Sequence, residues 1–157
     1  MKRTAGYLGL ILSLCVPLLA IGQDLRHYQL VTQMSDNVAQ AIKGKEKKWK
    51  LTNTEPIGRT TTQHWRSGAQ KVELTISVFN SEEEASRTLV SNGTFAVALA
   101  EELKGFGGNE ARVIDYPHFS WVGVRMGTTL VEARGPGNDL ALTKRFARHA
   151  LQELEKN

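Results

Sequence analysis

A chain of 157 residues with 20 lysines and arginines against 16 aspartates and glutamates carries a formal charge of +4, too little to argue for a nucleic-acid partner. Its single cysteine, Cys15, allows no intrachain disulfide. Stability must come from packing, and a domain of this length buries about two thirds of its unfolded surface without needing a disulfide or a metal.

The N-terminus orders Lys2 and Arg3, an apolar run from Leu8 through Leu19, and Ala20-Ile21-Gly22 before the polar Gln23-Asp24. That is the order of a secretory signal peptide. We expect residues 1–22 to be a leader cleaved after Gly22, and residues 23–157 to be one domain that is periplasmic or secreted from a bacterial cell. The apolar run contains Pro17 and falls short of the roughly 20 residues that a spanning helix needs, so no transmembrane span is expected after cleavage. Leu14, not a small residue, precedes Cys15, which argues against a lipoprotein. Loss of Lys2 and Arg3 leaves 18 basic against 16 acidic residues, a charge of +2.

Leu25, Tyr28, Val31, Met34, Val38 and Ile42 recur at spacings of three and four, which predicts a helix ending near Gly44. Ser35-Asp36-Asn37 supplies capping residues that could split it in two. Lys47, Trp49 and Leu51 alternate with lysines and a threonine, predicting a strand ended by Pro56 and Gly58. Thr60 to Arg66 and Lys71 to Val78 form the arms of a hairpin around Ser67-Gly68-Ala69-Gln70. In the second arm Val72, Leu74, Ile76 and Val78 face one way, as in an antiparallel sheet with one wet face.

Ser81-Glu82-Glu83-Glu84 has capping-box spacing and opens a helix through Ala85 and Leu89. Phe95, Leu99 and Leu103 continue its apolar face unless Asn92-Gly93 breaks it. After Gly105-Phe106-Gly107-Gly108, strands are predicted over Arg112–Asp115, Phe119–Met126 and Thr129–Arg134. Gly135 to Asp139 then caps an amphipathic final helix with Leu140, Thr143, Ala147, Ala150, Leu151 and Leu154 on one side. The expected fold is a two-layer α+β domain. It has an antiparallel sheet of about five to six strands, helices packed on one face, and the order α-βββ-α-βββ-α.

The run Val72 to Phe79 with Ser81-Glu82-Glu83-Glu84-Ala85, then Gly105 to Ala111, then Val124-Arg125-Met126-Gly127 to Val131, resembles small exported bacterial α+β domains of unknown function. The resemblance covers the last two thirds of the chain and brings no activity with it. The Gly-rich turn departs from such domains by an additional glycine and by an asparagine in place of their frequent aspartate.

Catalytic, cofactor and metal motifs are absent from this reading. There is no Gly-x-Ser-x-Gly elbow, and cleavage would leave no cysteine. His27, His64, His118 and His149 form no His-x-x-x-His pair; Asp115 and His118 are a close acid and imidazole, flanking a turn at Pro117. The Gly-rich turn follows a predicted helix and precedes a strand, the reverse of a phosphate loop. Trp49, Trp65 and Trp121 fall in predicted strands, where core packing is their ordinary role.

The surface feature that stands out is Lys43, Lys45, Lys47, Lys48 and Lys50 around Trp49. It is a candidate patch for an envelope protein or an anionic envelope component, set against the ordinary use of lysines to guard an edge strand. The expected function is therefore an exported, non-catalytic binding domain of the bacterial envelope. It would use the polar side of the Thr60-to-Phe79 hairpin or a groove near Phe119 and Trp121. Two alternatives remain: a small periplasmic hydrolase-like enzyme built from His64, His118 and Asp115, or a carrier with an apolar cavity between sheet and helices.

Overall fold

The computed structural model describes the backbone of residues 8–95 and 98–156 and the side chains of residues 25–94 and 99–156. Lys2 and Arg3, the charged start of the expected leader, lie outside the described residues. In chain order the elements are α1 (Leu8–Lys45), β1 (Lys50–Ile57), β2 (Thr60–Ser67), β3 (Gln70–Val78), α2 (Glu82–Asn92), the short β4 (Thr94–Phe95), β5 (Ala98–Leu99) and β6 (Glu101–Glu102), then β7 (Glu110–Tyr116), β8 (Phe119–Met126), β9 (Thr129–Pro136) and α3 (Leu140–Leu154). Among the described residues, seven strands form one antiparallel sheet in the order β1-β2-β3-β9-β8-β7-β6, and β4 pairs with β5 separately. No described helix is long and apolar enough to cross a membrane.

Strict alternation builds the main core. Val72, Leu74, Ile76 and Val78 of β3, Val131 and Ala133 of β9, and Val122 and Val124 of β8 all turn to one face. There they meet Val31, Val38 and Ile42 of α1 and Leu142, Phe146, Ala150 and Leu151 of α3. Phe146 stands at the centre of this layer. Its ring meets Trp49 edge-on at 5.0 Å and Trp65 at 5.9 Å, so two of the three tryptophans fill the space between sheet and helices that a carrier would need open. Gly135 lets α3 approach, since a Cβ there would lie 2.2 Å from the Thr143 hydroxyl. Thr143 bonds Ser120 of β8 at 2.5 Å.

A buried polar link fixes α1 to the sheet. The Gln63 amide nitrogen donates to the Ser35 carbonyl at 2.6 Å and to its hydroxyl at 2.8 Å, while Trp65 Nε1 donates to the Gln63 carbonyl oxygen at 2.9 Å. Ser35 is therefore spent on Gln63, not on capping, and the expected split at Ser35-Asp36-Asn37 does not occur. Leu25 and Tyr28, expected on the buried stripe, are exposed; burial on α1 starts at Val31.

Four further expectations are corrected. Helices cover both faces: α2 lies opposite α1 and α3, its Leu89 packing on Ile114, Trp121 and Leu130. The reason is that β8 and β9 are apolar on both sides at this end of the sheet, and such strands need two covers. The helix expected to run on through Phe95, Leu99 and Leu103 ends at Asn92, where the Gly93 N–H returns to the Leu89 carbonyl, and β4, β5 and β6 follow. The sheet accordingly has seven strands instead of five or six. Lys47 and Lys48 sit in a turn, so the first strand begins at Lys50, and as the sheet's edge it tolerates Pro56.

Replacing Phe146 by Ala should lower unfolding free energy by about 3–5 kcal/mol. Ile57→Ala, at a position 75% exposed, should stay within about 0.5 kcal/mol of the parent. Urea denaturation of the two variants checks this. Equal effects would contradict the placement of the core.

Candidate functional site

The face turned away from α1 and α3 can be read row by row from the strand register. One row runs Asn53, His64, Glu73, Arg134, Trp121, Ile114, and the next Glu55, Thr62, Thr75, Glu132, Gly123, Arg112. A third holds Ile57, Thr60, Ser77, Leu130, Arg125 and Glu110. Over β7, β8 and part of β9 this face is covered by α2. Over β1, β2 and β3 it is open.

Ion pairs hold α2 in place. Arg125 reaches Glu82 of α2 at 3.2 Å and Glu110 at 3.7 Å, and Ser86 of α2 donates to Glu110 at 2.8 Å. The N-terminus of α2 is capped as its sequence anticipates: the Ser81 hydroxyl accepts from the Glu84 N–H, and the Glu84 carboxylate accepts from the Asn80 N–H, both at 3.1 Å.

A cleft of about 340 Å³ opens where α2 stops, between Asn92 on the helix side and Glu73, Thr75, Glu132 and Arg134 on the sheet. Glu132 is its most perturbed group. Its Oε1 accepts from Trp121 Nε1 at 3.3 Å and from the Asn92 amide at 3.1 Å, and its Oε2 accepts from Asn92 at 3.0 Å. Burial of the carboxyl pushes its pKa above the ordinary glutamate value, and the two neutral donors pull it back only in part. Gly123 makes the arrangement possible: a Cβ there would lie 2.4 Å from the Trp121 ring and 2.6 Å from Leu89. Arg134 points instead over the Phe119 ring, 5.1 Å from its centroid.

Two more grooves adjoin the cleft, one of about 410 Å³ around His64 and one of about 580 Å³ beside Phe119 and His118, and Glu73 lines all three. The His64 ring nitrogens lie 3.4 Å from Glu55 and 3.7 Å from Glu73. An acid and an imidazole do meet here, but the acid is not Asp115. Asp115 is exposed on β7, where alternation turns it to the α1 and α3 side, while His118 sits in the β7–β8 turn against Tyr116 at 5.8 Å. The hydroxyls of the open face bond elsewhere: Thr62 to Thr75, Thr60 to Ser77, and Thr52 to the His64 carbonyl. Among the described residues no group of three His, Cys, Asp or Glu could hold a metal ion.

The lysines are all exposed. Lys43 and Lys45 end α1, Lys47 and Lys48 form the turn, and Lys50 opens the edge strand. Lys45 donates to Gln152 of α3 at 2.9 Å, which brings this end of α1 beside Lys144, Arg145 and Arg148. Glu46 offsets part of that charge by pairing with Arg145 at 2.7 Å and His149 at 3.0 Å. In the Gly-rich turn, Phe106 is buried under Arg148, and the groove there carries Glu102 and Glu110 against one lysine, Lys104, a setting that does not favour an anion.

The Glu132 cleft is the group of residues that sequence reasoning missed. The signal was present in the β8–β9 hairpin, whose turn at Gly127-Thr128 sets Gly123 opposite Glu132 and Trp121 opposite Arg134. Comparisons with family models, curated proteins and solved structures find no match to this chain.

Because the folded-state pKa of Glu132 is raised, the native state keeps a proton that the unfolded state has lost, and stability falls as pH rises through that window. Urea midpoints for wild type and Glu132→Gln, measured from about pH 4 to about pH 8, should therefore start close together and separate, with the variant gaining relative to wild type as pH rises. A difference independent of pH would contradict a desolvated carboxylate.

Proposed function

We propose that the chain is an exported, non-catalytic binding module of the bacterial cell envelope, and that it binds through the sheet face turned away from α1 and α3. One observation carries this. The polar side of the β2–β3 hairpin and the groove beside Phe119 and Trp121 are a single continuous face, with three grooves meeting at Glu73. Such a face, concave and polar on a rigid scaffold, suits recognition. Export is supported by the order of charges, apolar run and small residues from Lys2 to Gly22. A non-catalytic role is supported by the bonding of the face's hydroxyls to one another and to backbone instead of to the His64 ring.

A second reading uses the other end of the molecule. The Lys45 bond to Gln152 joins the lysine segment to Lys144, Arg145 and Arg148, a broader basic surface than the lysines alone and one suited to an anionic envelope component.

One comparison separates the two. The full chain is incubated with envelope extract at low and high salt, and retained proteins and small molecules are identified by mass spectrometry. Wild type is compared with Thr75→Arg, which obstructs the open face, and with Lys45, Lys47, Lys48 and Lys50 changed to Gln. Retention lost in Thr75→Arg and kept in the lysine variant is the expected result. Retention lost in the lysine variant and at high salt supports the basic surface instead. Retention that neither change affects would contradict both.

A further inference from the structure

We infer that the cleft at the end of α2 takes the zwitterionic backbone of an amino acid or short peptide, its ammonium between Glu132 and Glu73 and its carboxylate on Arg134. The inference rests on the open face being the binding surface and adds the class of ligand.

Three independent features make the inner part of the cleft negative. Glu132 presents a half-buried carboxylate whose partners are the neutral Asn92 amide and Trp121 indole, and among the described residues no lysine, arginine or histidine forms an ion pair with it. Glu73 stands on the next strand, diagonal to Glu132 in the register, at a separation of roughly 7 Å, close enough for both side chains to reach one cation. The helix α2 ends at Asn92 with no basic residue in its last turn, so the negative end of its dipole is uncompensated at the same place. An ammonium would meet all three, and the carboxylate of Glu132 would regain the countercharge it lacks.

At the outer part the sign reverses. Arg134 lies directly opposite Glu73 and two residues along β9 from Glu132, yet it extends over Phe119 and forms no ion pair among the described residues. Its guanidinium is left at the outer end of the cleft, where it can receive a carboxylate. Negative and positive groups held this far apart match a molecule carrying both charges better than a simple amine, which would leave Arg134 unused, or an anion, which Glu73 and Glu132 would repel.

A carbohydrate fits less well. Sugar recognition draws on an exposed aromatic face, but Trp121 is only 3% exposed, and its indole N–H is already bonded to Glu132. The indole and Asn92 instead serve as reporters, because any ligand at Glu132 must disturb their hydrogen bonds.

The test is a titration of the full-length, 15N-labelled chain followed through the Trp121 indole and Asn92 side-chain amide resonances. The probes are L-alanine and L-alanyl-L-alanine, with N-acetyl-L-alanyl-L-alanine lacking the ammonium and L-alanyl-L-alanine amide lacking the carboxylate. Saturable shifts are expected with the zwitterions. Affinity should fall about tenfold or more for the acetylated probe, as when a desolvated charge loses its partner. The amide probe should bind more weakly than the free dipeptide in wild type, and Arg134→Gln should abolish that difference. Glu132→Gln should remove the shifts. If neither zwitterion moves the two resonances, or if the acetylated dipeptide binds as well as its parent, the inference is overturned. In that event retention sensitive to Thr75→Arg would still leave the open face as the binding surface, whereas its absence would remove both.

Discussion

The sheet's two faces are unequally covered, and the rest of the structure follows from that inequality. Two helices cover the centre of one face, because β2, β3, β8 and β9 all direct apolar side chains to it and Phe146 locks their packing between Trp49 and Trp65. The other face carries a buried apolar cluster at the end formed by Ile114, Trp121 and Leu130, and it receives a single short helix there. The remainder stays open, and its polar residues keep access to solvent. A boundary between covered and open sheet is thereby built into the fold, and it runs along β9.

Glu132 stands on that boundary. Its neighbours on β9 decide its setting: Leu130 goes under α2 and Arg134 goes out over Phe119, while Glu132 is caught between, close enough to α2 to lose water and to gain Asn92. A carboxylate in this position costs stability at neutral pH, since neutral donors cannot replace a countercharge. Gly123 shows that the packing is specific, because any larger residue would collide with the Trp121 ring that floors the cleft. A fold indifferent to this corner would be more stable with a glutamine or a threonine there. The cost is understandable where a ligand supplies the missing charge.

Much of the architecture was legible in the sequence, because alternation and helical period are local signals. The β2–β3 hairpin, β8, β9 and the capping of α2 appear where those patterns put them, and the stripe on α3 holds at Thr143, Ala147, Ala150, Leu151 and Leu154 but left out Leu142 and Phe146, which are also buried. The failures are non-local. Leu89 reads as part of an amphipathic helix, but nothing in that period says which face of the sheet it will meet, and the answer depends on Trp121, Leu130 and Ile114 arriving from three later strands. The segment after Gly93 kept a helical spacing of leucines while the structure broke it into strands of two residues, too short for alternation to register. Glu132 occupies the polar half of an alternating strand and so reads as solvated; only the pairing of β3 with β9, contributed by residues over fifty positions apart in the chain, turns it towards Glu73.

The most direct measurement is a 13C titration of the Glu132 side-chain carboxyl in the folded, ligand-free chain. Unequal cover of the sheet requires a midpoint above the ordinary glutamate value, moved back towards that value when Leu89→Ala loosens the cover that α2 provides. A midpoint at or below the ordinary value would mean that this carboxylate is fully hydrated, and that the boundary between covered and open sheet does not create a site.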